Sequence, residues 1–300
     1  MATILITGGS GLLGKQLCNV LQAKGFEVCV LSRTKNQHTK FKTYLWDVEK
    51  EEIEEEAILK ADYIIHLAGE SVAAKRWTKK QKQAILDSRI KSADLLLKKI
   101  KQLNKPIKAF ITASGVGYYG AVTSNHLFTE TDVPANDFLA HTCVLWEAAA
   151  DKFATTKTRV VKLRTGIVLA KTGGFFAKLR LPVKLFCAVI FGNGKQFLPW
   201  IHIDDVCNMY LKAIEDAEMQ GAYNAAAPEQ INLKQFMQQM CAALKRPAIM
   251  PAVPAFLLNL IFGEMAVIFL TGSAVSSEKI LKQGFKFKFE NAKDALRDLI

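Results

Sequence analysis

The sequence predicts an α/β fold, a doubly wound parallel sheet followed by a smaller, mainly helical lobe. Three observations predict it. In the first half, short apolar runs alternate with longer mixed segments, the pattern of buried parallel strands joined by crossover helices. A glycine-rich turn, "ILITGGSGLLGKQL", separates the first apolar run from the first helical pattern. After about Leu169 the pattern changes: Gly and Pro become frequent in "KTGGFF" and "FGNGKQFLPW", and helices then dominate. The division is a doubly wound domain over residues 1–170, with return segments from 200–225, and a lobe over 171–300.

Taken in order, "TILIT", "EVCVLS", "YIIHLAG" and "AFITASG" are short and almost wholly apolar, so they read as strands buried on both faces. "RVVKLRTGIVL" (Arg159–Leu169) reads as another. Leu12–Lys24 and Lys79–Leu103 are helical, the second through the spacing of "IKSADLLLKKI". In the lobe the helical segments are Asp205–Ala217, Asn232–Leu244, Ala255–Leu270 and Asn291–Ile300. "VPAFLLNLIFGEMAVIFLTG" is long and apolar enough to raise a membrane question. Glu264 at its centre, Gly263 beside it, and Pro251 and Pro254 at its start argue instead for two buried or partner-facing helices broken near Gly263. No stable membrane insertion is expected.

The totals narrow the function classes. With 300 residues, half of them hydrophobic, the chain can bury a sizeable core and does not read as disordered. The net charge of +12 reads as a solvated basic surface; its densest run, "KRWTKKQK" (Lys75–Lys82), opens a helix, and no nucleic-acid-binding motif accompanies it. Cysteines at 18, 29, 143, 187, 207 and 241 form no C-x-x-C and no zinc spacing with His, so they read as reduced thiols of a cytoplasmic protein without a metal site. "MATILITGG" begins a strand at once, with no basic region and no cleavage site, so no signal peptide is expected.

The glycine turn carries the clearest chemistry. Gly8, Gly11 and Gly14 follow a strand and open a helix, with Ser10 and Leu12 in the same turn. Gly8 allows the tight turn, Gly11 lets backbone approach a pyrophosphate, and Gly14 lets the helix pack on the sheet. The helix N-terminus then meets phosphate charge. This is the Rossmann arrangement for a dinucleotide. An acidic residue at the end of the second strand would favour NAD, but "VCVLSRT" has Ser32 and Arg33 there. Arg33 suits a 2′-phosphate and can stack on adenine, which points to NADP(H). Asp47 in "YLWDVE" is a further candidate for the adenine edge.

"TGGSGLLG", "HLAG", "ITASGVGYYG" and "WIHIDDV" together resemble the extended short-chain dehydrogenase/reductases, relatives of the NAD(P)-dependent sugar epimerases and dehydratases. "LAGESVAAKRWTKKQKQAILDSRI", "FLAHTCVLWEAAA", "LRTGIVLAKTGG", "GNGKQFLPWIHIDD" and the C-terminal "PAFLLNLIFGEMAVIFLTGSAVSSEKILKQGFKFKF" resemble the atypical epimerase-family branch. That branch ends in a C-terminal domain of its own, here residues 245–295. The resemblance implies NADPH, with Ser32 and Arg33 on the 2′-phosphate and Leu67 and Ala68 lining the cofactor. It also implies Arg89 at cofactor phosphate or ribose, and Val168 at the nicotinamide end.

The wider family uses a Tyr as acid/base and a Lys four residues later, on one helix face, to lower the Tyr pKa and hold ribose. In register with that pair stand Cys143 and Glu147. An ionised Glu147 disfavours a thiolate at Cys143, so the electrostatics are reversed, although Glu147 could still accept bonds from ribose hydroxyls. The branch tends to carry W-E in this segment. Ser114 lies in the loop of the family Ser, whose register by count falls on Gly115. Tyr118 and Tyr119 offer alternative hydroxyls at the end of the fifth strand; Tyr119 reads as packing and Tyr118 as the better proton donor.

On the substrate side, Glu70, Arg76 and Trp77 follow the fourth strand, and Arg76 suits an anionic group. Trp200 and His202 resemble the segment where extended members line the substrate cleft, though a lone His beside apolar residues is more often structural. Asp204 and Asp205 read as caps of the next helix. Two functions remain open. One is an NADP(H)-dependent oxidoreductase or epimerase-like enzyme on a small polar substrate, with a non-standard proton donor and a homodimer as default. The other is a redox sensor or regulator that holds NADP(H) without turnover; some relatives carry cell-division names.

Overall fold

The computed structural model describes residues 1–34 and 40–300. In chain order its first strands are β1 (Thr3–Thr7), β2 (Glu27–Ser32), β3 (Lys42–Asp47), β4 (Glu52–Ile53), β5 (Tyr63–His66), β6 (Ala109–Gly115), β7 (Leu127–Phe128) and β8 (Arg159–Thr165). They are followed by β9 (Ile167–Leu169), β10 (Ile190–Phe191), β11 (Trp200–His202) and β12 (Gly221–Ala225). The central sheet runs β12-β8-β6-β5-β1-β2-β3-β4. Its pairs are parallel except β3 with β4. The chain reverses its direction of travel across the sheet between β1 and β5, so the carboxyl ends of these strands form the crevice where open α/β sheets take ligands.

Both faces of the sheet are covered, which is why β1 is buried at every position. On one face lie α1 (Leu12–Ala23) and, later in the chain, residues 203–215, packing Leu17, Leu21, Val206 and Tyr210 against the strands. The other face carries α2 (Glu55–Lys60), α3 (Lys79–Gln102) and α4 (Phe138–Asp151). There Phe110 of β6 stacks on Phe153 at 3.7 Å between ring centroids. Each large apolar side chain so buried stabilises the fold by about 1.5–3 kcal/mol.

A third core belongs to the lobe. Phe176 of α5 (Gly174–Lys184), Trp200, Phe236 and Leu296 meet there. The remaining helices are α6 (Ile203–Glu215), α7 (Leu233–Ala243), α8 (Ala255–Phe262), α9 (Val267–Leu270), α10 (Glu278–Lys282) and α11 (Ala292–Leu299). α7 opens on a capping box between Asn232 and Gln235. α6 is capped by the His202 side chain and not by Asp204 or Asp205. Asp205 instead accepts from the backbone N–H of Lys288 and Phe289, at 2.7 and 3.0 Å, and so ties the C-terminal segment to α6.

Two features depart from the sequence expectation. The run Arg159–Leu169 is two strands, because Gly166 passes so close to Pro199 that a Cβ there would lie 2.4 Å from its carbonyl oxygen. β8 stays in the main sheet, while β9 pairs with β11. The strand β12 is not distinguished in the sequence, since "GAYNA" is less apolar than its neighbours. As expected, the apolar run Ala255–Leu270 is two helices broken at Gly263, by a 3-10 turn over Gly263–Ala266 with Gly263 at φ +60°; the outer side of the first is exposed and not buried. Among the described residues no helix is long and apolar enough to cross a membrane.

Candidate active site

The turn after β1 is shaped by what a side chain would strike. Gly8, at φ +71°, would place a Cβ 2.8 Å from the Leu67 carbonyl carbon, and Gly14 would place one 2.3 Å from the Gly8 oxygen. Gly11 differs: a Cβ there would meet only the Gly8 oxygen, at 3.3 Å. Gly8 and Gly14 are therefore glycine for the protein's own packing, and Gly11 keeps its outer side open. Gly11 is also the N-cap of α1, with no side-chain cap, so first-turn N–H groups of that helix have no side-chain acceptor. An open backbone edge at a helix N-terminus fits a pyrophosphate. Leu12 is partly covered by the turn into α5, where Gly173 and Gly174 would bring a Cβ within 3.4 and 3.2 Å of its side chain. Ser10 is exposed.

The neighbouring loop after β5 is pinned to this turn by Thr7. Its hydroxyl accepts from the N–H groups of Leu67 and Ala68, at 3.2 and 3.1 Å, and contacts His66 Nδ1 at 2.8 Å. On the far side of the ring, Nε2 contacts Ser92 Oγ at 3.1 Å, and that hydroxyl reaches the Ser88 carbonyl at 2.7 Å. One chain of donors satisfies every member: Thr7 donates to Nδ1, Nε2–H to Ser92, and Ser92 to Ser88. Burial pushes the His66 imidazole down to about 4, so it is neutral at physiological pH. His66 is a core bracket.

Arg89 closes the same loop. Its Nη1 donates to the carbonyls of Glu70 and Ile85, both at 2.9 Å, and its guanidinium lies over the Trp146 ring at 4.6 Å. Arg89 Nε is buried without a partner among the described residues. Burial holds the Arg89 pKa below its ordinary value. Arg89 thus shapes the loop through Nη1, and its Nε is left as a buried spare donor.

The corner between β6, α4 and β8 holds the candidate proton chemistry. Glu147 is buried, and both of its oxygens are taken. Arg164 donates from Nε to Oε1 at 2.8 Å and from Nη2 to Oε2 at 2.9 Å, and Ser114 donates to Oε1 at 2.8 Å. Against the expectation that Glu147 accepts from ribose hydroxyls, three of its roughly four acceptor positions are already engaged inside the protein, and its charge is paired with Arg164. Burial alone would lower the Arg164 pKa, but the bonds to Glu147 raise it above its ordinary value. The inverted charge at this helix position is therefore neutralised locally.

Arg164 also organises both tyrosines. Its Nη1 donates to Tyr119 Oη at 3.0 Å, and Tyr119 donates to Asn224 Oδ1 at 2.7 Å. Tyr119 is fully buried, and burial pushes its hydroxyl up to about 12, so it is a packing residue. The Arg164 guanidinium lies 3.4 Å over the Tyr118 ring. The Tyr118 hydroxyl makes no hydrogen bond among the described residues, and the residue is half-buried at the carboxyl edge of the sheet. Cys143 is close by, donating to the Gly115 carbonyl at 3.5 Å. Burial first, and Glu147 second, push its thiol up to about 11, so it stays protonated.

Other residues marked in the sequence scatter. Ser32 and the exposed Arg33 end β2. Val168 is half-buried in β9. Glu70 accepts from Gln81 at 3.4 Å, and Trp77 packs edge-on against Phe138 at 4.9 Å. Arg76 is exposed beside Gly263 and makes no ion pair among the described residues. Asp47 Oδ1 accepts from the N–H groups of Glu49 and Lys50 and so closes its own turn. Trp200 and His202 do not line a cleft: they are 0% and 1% exposed. Trp200 lies in the lobe core, and His202 packs on Phe289 at 4.1 Å with Nε2 3.4 Å from the Asp298 carboxylate.

Arg164, Asn224 and Thr7 were missed from the sequence. For Arg164 a signal existed: it follows the apolar Leu163 near the end of a sheet strand, "RVVKLRT", and a cation buried there needs a partner. All six cysteines are free.

Comparison with known proteins places these features. A model of the NAD dependent epimerase/dehydratase family matches residues 4–226, and a second, described as a domain of unknown function (DUF1731), matches residues 253–299. The epimerase family protein YfhF of Bacillus subtilis is 34% identical over 298 residues, covering 99% of this chain and 97% of its own. The mouse epimerase family protein SDR39U1 is 32% identical, covering 99% of each chain. The crystal structure of the human SDR39U1 (isoform2) with NADPH superposes with a TM-score of 0.88 at 31% identity, covering 99% of this chain and 98% of that one.

Proposed function

The chain belongs to the NAD-dependent epimerase/dehydratase family, and on that premise we propose that it is an NADP(H)-dependent oxidoreductase acting on a small polar substrate, with Tyr118 as the proton donor. The observation that carries the proposal is the Tyr118 hydroxyl. It is unpartnered among the described residues and stands at the carboxyl edge of the sheet, on a ring held against Arg164.

The turn Gly8–Gly14, with Ser10 and Leu12, takes the pyrophosphate on backbone N–H groups, and Ser32 and Arg33 take the 2′-phosphate. Leu67, Ala68 and Val168 line the cofactor, and the spare donor of Arg89 serves it. When bound, the nicotinamide supplies or accepts hydride. Tyr118 gives a proton from its hydroxyl to the substrate oxygen during reduction and takes it back in the reverse direction. Arg164 positions the Tyr118 ring, Glu147 holds Arg164, Ser114 donates to Glu147, and Cys143 holds its proton beside them. Arg76, exposed beyond the loop after β5, receives an anionic group of the substrate, with Glu70 and Trp77 nearby. The protein works in the cytoplasm, by default as a homodimer through α4, which carries "VLWEAAAD", and residues 171–300 supply the substrate side.

A second reading, an NADP(H)-binding sensor without turnover, draws on one observation. The two positions in register with the family's acid/base pair hold a protonated thiol and a carboxylate closed by Arg164. Stopped-flow oxidation of NADPH against a panel of carbonyl compounds separates the readings. Turnover that Tyr118→Phe abolishes and Cys143→Ala leaves in place supports the enzyme. If no compound oxidises bound NADPH faster than the blank, the sensor stands.

A further inference from the structure

The lobe exposes an apolar face that the site does not use. Leu181, Leu185 and Phe186, at the end of α5, are 63%, 63% and 64% exposed. Phe256, Leu260 and Ile261 of α8 are 68%, 73% and 57% exposed. In α8 only Leu258 is buried, so the helix has an inner contact and an unpartnered outer face. The two elements are tied together. β10, just after Phe186, pairs with β13 (Ala252–Val253), just before α8. Arg246 bridges them, donating to the Lys184 carbonyl at 3.0 Å and lying 4.7 Å over the Phe186 ring. A contiguous apolar face of this kind marks an interaction surface.

Its charge is one-sided. The sequence has no Asp or Glu between Asp151 and Asp204, and none between Glu229 and Glu264, so both segments that build the face lack acidic residues. Lys178, Lys184, Lys245 and Arg246 lie in them, none in an ion pair among the described residues. We propose that this face docks the protein onto an anionic phospholipid surface, with the leucines, isoleucine and phenylalanines entering the headgroup boundary and the four cations facing lipid phosphate. Such a rim of cations around an exposed apolar helix is the pattern of an interfacial anchor. The helix lies in the boundary and does not cross it: eight residues make about 12 Å of helix, far short of a bilayer's ~30 Å core. A second copy of the chain fits this face less well. A two-fold contact would set the cations of one copy against those of the other, with no acid in either segment to neutralise them.

The test is co-sedimentation of the full chain with vesicles of equimolar phosphatidylglycerol and phosphatidylcholine, and with phosphatidylcholine alone. The protein is expected to sediment with the anionic vesicles only, and less as salt is raised. The double variant Phe256→Ser/Leu260→Ser and the double variant Lys178→Glu/Lys245→Glu should each bind roughly tenfold or more weakly. Both replace exposed side chains, so melting followed by circular dichroism should match the unaltered protein and exclude misfolding as the cause. Equal sedimentation with neutral vesicles, or none with either, overturns the proposal. So does a dimer in light scattering that Leu260→Ser dissociates, which would assign the face to a second copy.

Discussion

The turn after β1 and the corner between β6, α4 and β8 face the same edge of the sheet and are built by opposite means. The turn is backbone: Gly8 and Gly14 sit where a Cβ would strike the chain's own carbonyls, and Gly11 leaves an edge open. The corner is charge: one buried arginine holds one buried carboxylate with two bonds and touches two tyrosines. A backbone cradle works if three glycines stay small. A buried ion pair works only if both partners remain, because each pays a desolvation cost that the other offsets. The corner should therefore be the brittle region, and mutation should expose the difference.

The largest effect is expected at Arg164. Arg164→Ala leaves Glu147 buried with only Ser114 and, at 4.0 Å, the Lys162 ammonium beside it, and should cost about 3–5 kcal/mol of stability. Urea denaturation followed by circular dichroism measures it. The double variant Glu147→Leu/Arg164→Met removes both charges and should recover much of the loss. If Arg164→Ala unfolds at the same urea concentration as the unaltered protein, the corner is not held by this pair.

His66, on the strand between β1 and β6, brackets β1 to α3 through Thr7 and Ser92. Its folded pKa of about 4 lies below the ordinary 6.5. Its neutral form therefore supports the fold fully above pH 6.5. As pH falls from 6.5 toward 4 the unfolded chain takes up a proton that the folded chain refuses, and stability drops by about 3 kcal/mol across that window. His66→Gln should be less stable at neutral pH but should lose this slope. Denaturation midpoints at a series of pH values decide it; an equal slope in the variant would place the acid sensitivity elsewhere.

At the turn the effects should be on binding and not on folding. Arg33 is exposed at the end of β2 and can be removed without leaving a hole. Arg33→Ala should weaken NADPH by roughly tenfold to a hundredfold, the worth of a charge-assisted hydrogen bond or two, and leave NADH unchanged. Fluorescence titration with both dinucleotides reads this directly. Equal loss for both would mean that Arg33 supports the adenine pocket and does not select the phosphate.

The same contrast explains what the sequence could tell. The turn was legible because its requirements are local: a strand, three glycines and a helix within "ILITGGSGLLG" state the geometry by themselves. So was the parallel sheet, whose strands are short apolar runs. The corner was not legible, because Ser114, Glu147 and Arg164 come from three elements and meet only when β6 and β8 pair, with Ser114 directly beside Arg164 in the register. Glu147 in isolation reads as a carboxylate waiting for ribose. Trp200 and His202 misled for the same reason. Their motif matches a cleft-lining segment, but the break at Gly166 pairs β9 with β11 and turns both side chains into cores.

The smallest effect sharpens the comparison furthest, because it asks how much of the corner is the ion pair and how much the surrounding polar shell. Ser114 donates to the same Glu147 oxygen that Arg164 Nε already serves. Ser114→Ala removes one donor and leaves both Arg164 bonds in place, so it should cost about 1 kcal/mol, an ordinary net hydrogen bond. In a double-mutant cycle Ser114→Ala should couple to Glu147→Gln, while Ser114→Ala paired with Arg33→Ala should be additive, since Arg33 lies at the far end of the site. A loss at Ser114 as large as that at Arg164 would mean that the hydroxyl, and not the guanidinium, is what keeps the buried carboxylate in place.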